Sequence, residues 1–474
     1  MGINPEHYFV LSDNRIIKSL EELIAVLKTI DRKTFEYHVN DSKNDFANWI
    51  KYVFKNRRLA DNIESLGYEE IQKMILLIQH HMSQLNILVI NGGSSSLKFQ
   101  LIDLSSRNIL MKGMIDAIGL DRCVTTLSFN GETLTETLPI KNHDEAIARA
   151  IRSMIENDVI GDINEIKAIG HRVVHGGETY AKPVVIDNTV IERLKELSVL
   201  APLHNPANIS CILACQRAFT CPQVAVFDTA FHSTIPVEKY LYGLPYEYYE
   251  KHKIRKYGFH GSSHKYVTGL IGEYYRLKKK RNPKIIICHL GNGSSITAVK
   301  NGKSLNTTMG FTPLDGLIMG TRCGHLDPAV AIHLGTALNM NYEQLGRVLN
   351  KQSGLLGISG YSDMRDLRKT KYEKKSKLAM DMFADRITHY IGAYVAELGG
   401  VDGIVFTAGI GENAFYIRKA VLDNFRYLGL KLDSRKNVKN EFIISAKDSK
   451  VTCFVVATNE ELQIAMETRR LLKV

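Results

Sequence analysis

The first 84 residues place their hydrophobic side chains at the spacing of amphipathic helices. The first predicted helix begins at Ser19, whose hydroxyl fits a capping box with the carboxylate of Glu22. Its apolar residues recur at positions i, i+3, i+4 and i+7: Leu20, Leu23, Ile24 and Leu27. The second predicted helix has its apolar residues on one face: Phe46, Trp49, Ile50, Val53 and Phe54. A third helix is predicted from about Tyr68 to His81, so this segment is expected to be a small all-α domain.

From residue 87 the pattern changes to short apolar strands that end in loops rich in glycine and serine. A strand, the loop 91–96 and a returning strand with alternating polarity follow one another. The same order recurs around the loop 289–295, and the hairpin turn Asn301-Gly302 follows it. A third glycine-rich loop, 409–413, comes after another apolar strand. The repeated unit predicts two related halves that face one nucleotide.

The composition excludes several classes of protein. Of 474 residues, 45% are hydrophobic and 23% are charged, a composition typical of globular chains, and the length predicts about three domains. The seven cysteines form neither a CxxC pair nor a zinc-binding spacing, so reduced thiols are expected. No apolar run reaches the ~18 residues that a membrane span needs, and the N-terminus lacks the pattern of a signal peptide. We therefore expect a cytoplasmic protein with no membrane partner.

The net charge of +11 has three possible interpretations: the protein binds nucleic acid, it binds small anions, or its exterior is merely basic. Residues 1–84 hold 11 basic and 12 acidic residues, so the rest of the chain carries +12. No motif for nucleic-acid binding accompanies this charge, and the longest basic run is 278–281. Nucleic acid is therefore not expected as a partner.

The glycine- and serine-rich loops can bind phosphate, because glycine lets backbone N–H groups approach an anion. Such loops also occur as plain hairpins, so one alone is weak evidence. The chain has no GxxxxGK[ST] motif, and Gly409-x-Gly411 lacks the third glycine of a dinucleotide fingerprint. Two matched loops and a third favour a nucleotide that is held between two domains.

Arginine and histidine residues stand in apolar or glycine-rich surroundings. Arg172 and Arg322 are expected to need an anionic partner, either a substrate or a structural carboxylate, because an unpaired buried charge is costly. The segment 258–264 holds two histidines, so zinc has to be considered. No histidine pair stands in the HxxxH helix context of a metalloenzyme, and no cysteine stands beside them. Zinc is therefore not expected.

A nucleotide substrate would require carboxylates near Mg²⁺. Asp228 ends the apolar strand 224–227, and Glu460 follows the strand 454–456. Each position is suited to a side chain that faces a cleft. Either residue could equally cap a helix or lie in its first turn.

Nine motifs, in order, resemble the acetate kinase family of the actin-like ATPase superfamily. They run from about residue 87 to the C-terminus: NGGSSSLK (91–98), GHRVVHGGE (170–178), FDTAFH (227–232), YGFHGSSH (257–264), HLGNGSS (289–295), TTMGFTPLDGLIMGTR (307–322), SDMRDL (362–367), AGIGEN (408–413) and TNEEL (458–462). The resemblance implies a duplicated actin-like (ribonuclease H-like) two-domain α/β kinase fold. It also implies reversible, direct in-line transfer of the γ-phosphoryl group of ATP to acetate, which gives acetyl phosphate and ADP.

The resemblance also implies roles for individual residues. The catalytic residues would be Asp228, His260, Arg322 and Arg172. Those for ATP would be Lys98, Ser94, Ser96, His289, Leu290, Gly291, Asn292, Gly293, Asp363, Met364, Arg365, Gly409, Ile410, Gly411, Glu412 and Asn413. Asn91 and Glu460 would bind Mg²⁺, with Mn²⁺ as a possible substitute. Arg172 and an apolar pocket would bind acetate, the pocket being formed by Val174, Leu203, Phe259 and Pro313.

The physical chemistry of the reaction agrees with these roles. Acetate is already ionised at pH 7, so a general base has little to remove. Positioning and neutralisation of charge therefore carry catalysis, and we interpret Asp228 as an orienter of an arginine or of magnesium-bound water. The resemblance also implies acetate as the acceptor, because longer-chain members of the family tend to have a smaller residue than Val174, although propionate should be a poorer but real substrate. A kinase for a longer carboxylic acid and a non-catalytic ATP-binding protein are the alternatives.

The chain departs from the family pattern in two places. His325 stands where the family usually has aspartate, which puts a contact near Arg322 in doubt. Residues 1–84 are an addition that resembles a small helical domain of unknown function. They could regulate, dock or only stabilise the enzyme. We expect one kinase domain from residues 86–231 with 460–474, a second from 232–459, and a homodimer.

Overall fold

The computed structural model describes residues 4–202 and 204–474. Its N-terminal part consists of β1 (Phe9–Val10), β2 (Ile16–Ile17), α1 (Leu20–Leu27), α2 (Arg32–His38), β3 (Val39–Asn40), β4 (Lys43–Asn44), α3 (Asp45–Val53), α4 (Arg57–Glu64) and α5 (Ile71–Ser83), with short 3₁₀ helices at Pro5–His7 and Tyr68–Glu70. The three predicted helices are confirmed as α1, α3 and α5. Their apolar faces share one core with α2 and α4.

The prediction of an all-α domain is wrong in one respect, since two short hairpins, β1–β2 and β3–β4, lie among the helices. Polar turn residues form them: Asn14 takes a positive φ of 68°, and the Asn40 side chain accepts the Ser42 N–H. Ser19 does cap α1, but the Glu22 carboxylate accepts the N–H of Lys18. The Glu22 carboxylate therefore binds the N–H of the residue before the N-cap, whereas a capping box requires the N–H of Ser19 itself.

The next part of the chain forms an eight-stranded sheet flanked by helices. Its elements are β5 (Asn86–Gly92), β6 (Ser96–Asp103), β7 (Asn108–Asp116), β8 (Cys123–Phe129), β9 (Glu132–Leu138), α6 (His143–Glu156), β10 (Ile166–Val173), β11 (Val184–Val185), α7 (Asn188–Leu197), α8 (Asn205–Ala218) and β12 (Gln223–Phe227), with a 3₁₀ helix at Ile163–Glu165. The strand order is β11-β12-β10-β5-β6-β7-β8-β9.

The remaining chain forms a five-stranded sheet in the order β15-β14-β13-β16-β17. Its elements are α9 (Val237–Tyr240), α10 (Tyr246–His252), α11 (Gly261–Leu277), β13 (Ile285–Leu290), β14 (Ser294–Lys300), β15 (Lys303–Thr307), α12 (Pro328–Ala337), α13 (Tyr342–Lys351), α14 (Gly354–Ser359), α15 (Met364–Lys369), α16 (Lys374–Leu398), β16 (Gly403–Thr407), α17 (Ala408–Asn413), α18 (Phe415–Leu422), α19 (Ser434–Val438), β17 (Thr452–Val455) and α20 (Glu460–Leu472), with 3₁₀ helices at Ala230–Thr234 and Asp423–Leu428.

The two sheets contain the same five-stranded unit. The order β7-β6-β5-β10-β12 matches β15-β14-β13-β16-β17, with antiparallel pairing over the first three strands and parallel pairing over the last three. The repeat predicted from the loops is therefore confirmed as a duplicated α/β fold. Because parallel strands end at the same edge of a sheet, β10 and β12 bring Arg172 and Asp228 together.

The last helix returns to the first sheet. Apolar residues of α20 pack against β5 and β12 in one buried cluster: Leu462, Ile464 and Ala465 with Ile87, Val89, Val224 and Val226. Gly170 on β10 permits this approach, because a Cβ there would lie 2.7 Å from Ile464. This packing supports our assignment of residues 460–474 to the first kinase domain, which stays a proposal. No helix in residues 4–202 and 204–474 is long and apolar enough to cross a bilayer.

Candidate active site

Arg172 and Asp228 form a tight ion pair at the ends of β10 and β12. The Arg172 Nε lies 3.0 and 3.1 Å from the two Asp228 carboxylate oxygens, and its Nη2 lies 2.6 Å from Oδ2. The Glu460 carboxylate, in the first turn of α20, lies 3.9 Å from the Arg172 Nε. Burial alone would lower the pKa of Arg172, but these carboxylates outweigh burial and raise it. Arg172 is therefore a fixed cation.

Glu460 is half-buried among charged side chains of both signs. Burial, and then the Asp228 and Glu461 carboxylates, raise the pKa of Glu460 to about 7, although Arg172 acts in the opposite direction. A further cation would relieve this repulsion between carboxylates. Glu460 is a first-turn acid of α20 whose carboxylate also lies near Arg172, and its role at Mg²⁺ stays a prediction.

The first glycine- and serine-rich loop is a tight hairpin between β5 and β6. Asn91 pairs with Lys98 across the two strands, and the Gly93 N–H donates to the Ser96 carbonyl. The strands extend further into the loop than the sequence predicted. Gly92 is required because a Cβ there would lie 2.1 Å from the Cys211 sulfur. Asn91 is half-buried, whereas Ser94 and Lys98 are exposed.

Arg322 has no carboxylate partner in the part of the chain that the structure describes. Its Nη1 donates to the Pro313 carbonyl at 3.1 Å and lies 3.6 Å from the Met319 sulfur. Burial lowers its pKa below the ordinary value. A partly buried guanidinium without a counter-ion is suited to bind an anion.

Arg322 and His260 face the same point beside the second glycine-rich loop. A Cβ placed on Gly293 would lie 3.4 Å from the His260 Nε2 and 3.6 Å from the Arg322 Nη1. His260 has a positive φ of 57° just before α11, and its ring stacks on His289 at 4.2 Å between centroids. Two donors therefore converge next to a loop that can bind phosphate.

The histidines at this point are neutral near pH 7. Burial, and then the neighbouring histidines and arginines, hold the pKa of His260 well below its ordinary value. Burial and Arg172 lower the pKa of His289 to about 3. His204 lies near the same arginines, since burial and both Arg322 and Arg172 lower its pKa. Sequence analysis gave His204 no role other than a possible zinc ligand. Among the described residues, no group of three or more His, Cys, Asp or Glu side chains could hold a metal ion.

A cavity of about 980 Å³ lies beside the third glycine-rich segment. It is lined by Gly291, Asn292, Ser362, Asp363, Met364, Arg365, Arg368, Gly409, Ile410, Asn413, Ala414 and Tyr416. Most residues predicted to bind the nucleoside lie on this wall. Leu290 and Gly411 are buried behind it, and the Glu412 carboxylate accepts the Thr458 N–H. Tyr416 and Arg368, which stack at 4.4 Å, were not predicted.

The predicted loop 409–413 is a short helix, α17, and Arg418 explains why it forms. Glycines disfavour a helix, but the Arg418 Nη1 donates to the carbonyls of Gly411 and Glu412 at the helix end, each at 2.8 Å. Arg418 also binds Asn437 and Asn440 and is fully buried. It faces no carboxylate among the described residues, and nothing in the sequence marks its role.

We predict that Arg418→Met lowers the free energy of unfolding by about 3 kcal/mol or more, because several buried acceptors lose their donor. The same variant should raise the KM for ATP, since α17 forms part of the cavity wall. Urea unfolding and initial-rate kinetics measure the two effects. Arg426→Met, which removes an exposed arginine on the following 3₁₀ helix, is the matched control. Equal stability of the two variants would contradict the prediction.

A small apolar cluster adjoins Arg322. Phe259, Met309 and Met319 are buried together, and the half-buried Val174 packs against them. The Pro313 carbonyl is held by Arg322, and Leu203 lies outside the described residues. The two methionines were not predicted, because their positions follow from tertiary packing. The cluster therefore places apolar side chains beside the Arg322 guanidinium.

His325 faces Asp315, with 3.5 Å between Nδ1 and Oδ1, and its side chain is mostly exposed. Its backbone N–H donates to the Gly316 carbonyl. The departure at residue 325 thus brings an imidazole near Asp315. None of the hydrogen bonds or ion pairs of the described residues joins it to Arg322.

Comparison with known proteins identifies close relatives of this chain. The model of the Acetokinase family matches residues 86–466. An acetate kinase from Clostridium botulinum (strain 657 / Type Ba4) is 50% identical over 395 residues, which cover 82% of this chain and 99% of that protein. An acetate kinase from Clostridium novyi (strain NT) is 49% identical over 397 residues, with the same coverage.

Two crystal structures are similar to most of the chain. A propionate kinase from Francisella tularensis has a TM-score of 0.77 and 42% identity, and covers 81% of this chain and 99% of its own. An acetate kinase from Porphyromonas gingivalis has a TM-score of 0.78 and 40% identity, and covers 82% and 100%. The match of the family model begins at residue 86, after the helical module of residues 1–84.

Proposed function

Since this chain belongs to the acetokinase family, we propose that its cleft transfers the terminal phosphoryl group of ATP to acetate, giving acetyl phosphate and ADP. One acetate oxygen forms the new P–O bond while the bond from the γ-phosphorus to the bridging oxygen breaks and ADP leaves. No proton is gained or lost in the transfer itself. Positioning and charge neutralisation are thus the tasks of the protein.

The observation that carries the proposal is the convergence of the Arg322 Nη1 and the His260 Nε2 beside Gly293. Arg322, which faces no carboxylate in the described residues, is available for the transferring phosphoryl group or the acetate carboxylate. Arg172 is kept in place by Asp228 and supplies a second cation. His260 adds a neutral donor to the phosphoryl oxygens. The nucleoside of ATP occupies the cavity beside α17, within reach of Asp363, Arg365 and Asn413.

The remaining assignments for the phosphates follow the loops. Lys98, Ser94 and Ser96 on the first loop and His289, Gly291, Asn292 and Gly293 on the second are placed to donate to phosphate oxygens. Backbone N–H groups and hydroxyls are suited to this task. Leu290, Gly411 and Glu412 support the site from behind its wall.

Asn91 and Glu460 are the residues that we propose for Mg²⁺, with Mn²⁺ as a substitute. The donors fit, because Mg²⁺ prefers oxygen ligands and is usually held by one or two carboxylates together with substrate phosphates. The carboxylates of Asp228 and Glu461, which act on Glu460, also favour a cation there. When bound, Mg²⁺ would neutralise charge on the phosphates.

Trapping with hydroxylamine tests the proposed activity, because acetyl phosphate gives acetohydroxamate. The purified chain with ATP, Mg²⁺ and acetate should produce it, and omission of acetate should abolish it. Butyrate serves as the acceptor control. A chain that hydrolyses ATP but forms no hydroxamate would overturn the proposal, and a preference for butyrate would identify a kinase for longer acids.

We predict that Val174→Ala raises the kcat/KM ratio of propionate to acetate by roughly tenfold, since one methylene in an apolar pocket is worth about 1–3 kcal/mol. Val174 packs against Phe259 and the two methionines, so its shortening opens the pocket. Val173→Ala, which shortens the neighbouring valine at the end of β10 and lies in a different apolar cluster, is the matched control. An unchanged ratio in both variants would place the alkyl group elsewhere.

We propose that the chain forms a homodimer through α12. This helix buries none of its residues within the described chain and exposes large apolar side chains on and after it: Val330, Ile332, Leu338 and Tyr342. Contiguous exposed apolar surface is typical of protein interfaces. Ile332→Glu should therefore yield monomers in light scattering, and an unchanged mass would exclude this face.

The N-terminal module is closely fitted to the first kinase domain, and we propose that it is a docked regulatory or stabilising unit. A Cβ on Gly161 would lie 1.8 Å from the Lys55 carbonyl oxygen. The Asn56 amide, which caps α4, lies 3.0 Å from His81 and 3.5 Å from the Glu165 carboxylate. Residues from both sides enclose a small cavity of about 160 Å³.

We predict that deletion of residues 1–84 preserves kcat for acetate but lowers Tm. None of the described residues 4–84 lines the nucleotide cavity or the cluster around Arg322. Gly161→Ala, which keeps the module but disturbs its seat, should lower Tm as well. Calorimetry measures the Tm of each variant, and the hydroxamate assay measures its kcat. A large loss of kcat in the truncated chain would instead give the module a catalytic role.

A further inference from the structure

Ser295 lies between the half-buried imidazole of His260 and the buried imidazole of His264. Its Oγ is 3.0 Å from the His260 Nδ1 and 2.8 Å from the His264 Nε2. Ser295 and His264 are fully buried. Burial and the neighbouring histidines hold the pKa of both His260 and His264 well below their ordinary values. Each ring therefore carries a single proton near pH 7.

The hydroxyl has one proton and two acceptor lone pairs, so three arrangements make both contacts. In one of them both rings donate to Ser295, and its buried hydroxyl proton is then left without an acceptor among the described residues, which is costly. The other two arrangements give that proton an acceptor. In the first of these, Ser295 donates to the His260 Nδ1 and accepts the N–H of the His264 Nε2. In the second, the His260 Nδ1 carries its proton and donates to Ser295, which donates to His264. The second arrangement places the His264 proton on Nδ1.

The surroundings of His264 distinguish the two arrangements. Its Nδ1 is buried and has no hydrogen-bond partner among the described residues. A buried N–H without a partner is rarer and costlier in proteins than an acceptor with a free lone pair. The first arrangement leaves only such a lone pair. It also puts the His260 proton on Nε2, the nitrogen that faces the point beside Gly293.

We propose that Ser295, with His264 behind it, is a positioning residue that keeps His260 in the Nε2–H tautomer and so aims a neutral donor at the transferring phosphoryl group. The link to phosphoryl transfer rests on the proposed function. The tautomer of His260 is independent of the proposed function, because it is inferred from contacts in the protein without substrate. A partner on one ring nitrogen commonly fixes the state of the other.

The first test is the ¹⁵N spectrum of the full chain with labelled histidine and without substrate. The His260 signals are assigned as those missing from His260→Gln. We expect the Nε2 resonance of His260 in the range of a protonated nitrogen and its Nδ1 in the range of an unprotonated one. A protonated Nδ1 would overturn the proposal. This measurement stands even if the chain forms no acetyl phosphate, so failure of the proposed function is recognised separately.

The second test is kinetic. Ser295→Ala should lower kcat on the order of tenfold while the KM for ATP stays unchanged, since loss of a complete donor costs about 10²–10³-fold and here the donor is only misdirected. Ser295→Thr keeps a hydroxyl and should retain more kcat than Ser295→Ala. Thr297→Val is the matched control: it removes another buried hydroxyl from β14, one that pairs with Thr307.

The variants separate positioning from mere stability. Ser295→Ala and Thr297→Val should lose similar free energy of unfolding, but only the former should lose kcat and show mixed tautomers of His260. Equal kcat in the two variants would overturn the proposal. If Ser295→Ala does not fold, the spectrum of the unmodified chain still decides it.

Discussion

Arg322→Ala is expected to lower kcat on the order of 10³-fold, which is the usual loss when a cation or donor for the transition state is removed. Arg322 faces no carboxylate in residues 4–202 and 204–474, so its removal leaves no buried charge unpaired. The protein should therefore fold with nearly unchanged stability. The loss of rate then reports chemistry and not misfolding.

Rapid mixing with hydroxylamine trapping measures this loss, and thermal unfolding checks the fold. Arg347→Ala is the matched control, because Arg347 is an exposed arginine on α13 that pairs only with Glu343. Arg322→Lys should recover part of the rate, since it restores the charge without the planar donor geometry. A kcat of Arg322→Ala within tenfold of the unmodified chain would remove Arg322 from the catalytic set.

Local chemistry explains why so much of the site could be predicted. A strand that is followed by glycine and serine places hydrogen-bond donors at an edge of the sheet, whatever the rest of the fold is. Asn91 and Gly293 lie at two such strand ends. Asp228 directly follows a buried strand, so its position at the edge beside Arg172 follows from parallel pairing. These features need no knowledge of distant contacts.

The residues that could not be predicted make their important contacts with residues far away in the sequence. Ser295 contacts His260, 35 residues away, and Arg418 holds Asn437, 19 residues away. Met309 joins Phe259 and Met319 in the apolar cluster beside Arg322 only through tertiary packing. The predicted loop 409–413 became a helix for the same reason, because a buried arginine satisfies its last carbonyls. Tertiary partners overrode the local pattern at these places.

The basic charge of the chain is interpreted differently once these contacts are known. Arg172 binds a carboxylate and Arg418 binds amide and backbone oxygens, whereas Arg322 donates to the Pro313 carbonyl and faces no carboxylate among the described residues. That nucleic acid is not a partner stays a prediction from the sequence.

Asp228→Asn is expected to lower kcat by about 10²–10³-fold, although the substitution is nearly isosteric. Both carboxylate oxygens accept from Arg172, and the amide would replace one acceptor with an NH₂ group that faces the guanidinium. Arg172 would then turn towards Glu460, 3.9 Å away, and leave the acetate side of the cleft. We expect the KM for acetate to rise as well.

Titration with Mg²⁺ separates the two roles considered for Asp228. If Asp228 acts by orienting Arg172, saturating Mg²⁺ leaves the defect of Asp228→Asn in place. If it acts through magnesium-bound water, excess metal restores part of the rate. Glu397→Gln is the matched control, because it weakens a half-buried ion pair with Lys239 outside the cleft. The geometry favours the first outcome, because both carboxylate oxygens of Asp228 accept hydrogen bonds from the Arg172 guanidinium. If Asp228→Asn turned over as fast as the unmodified chain, both roles would be contradicted.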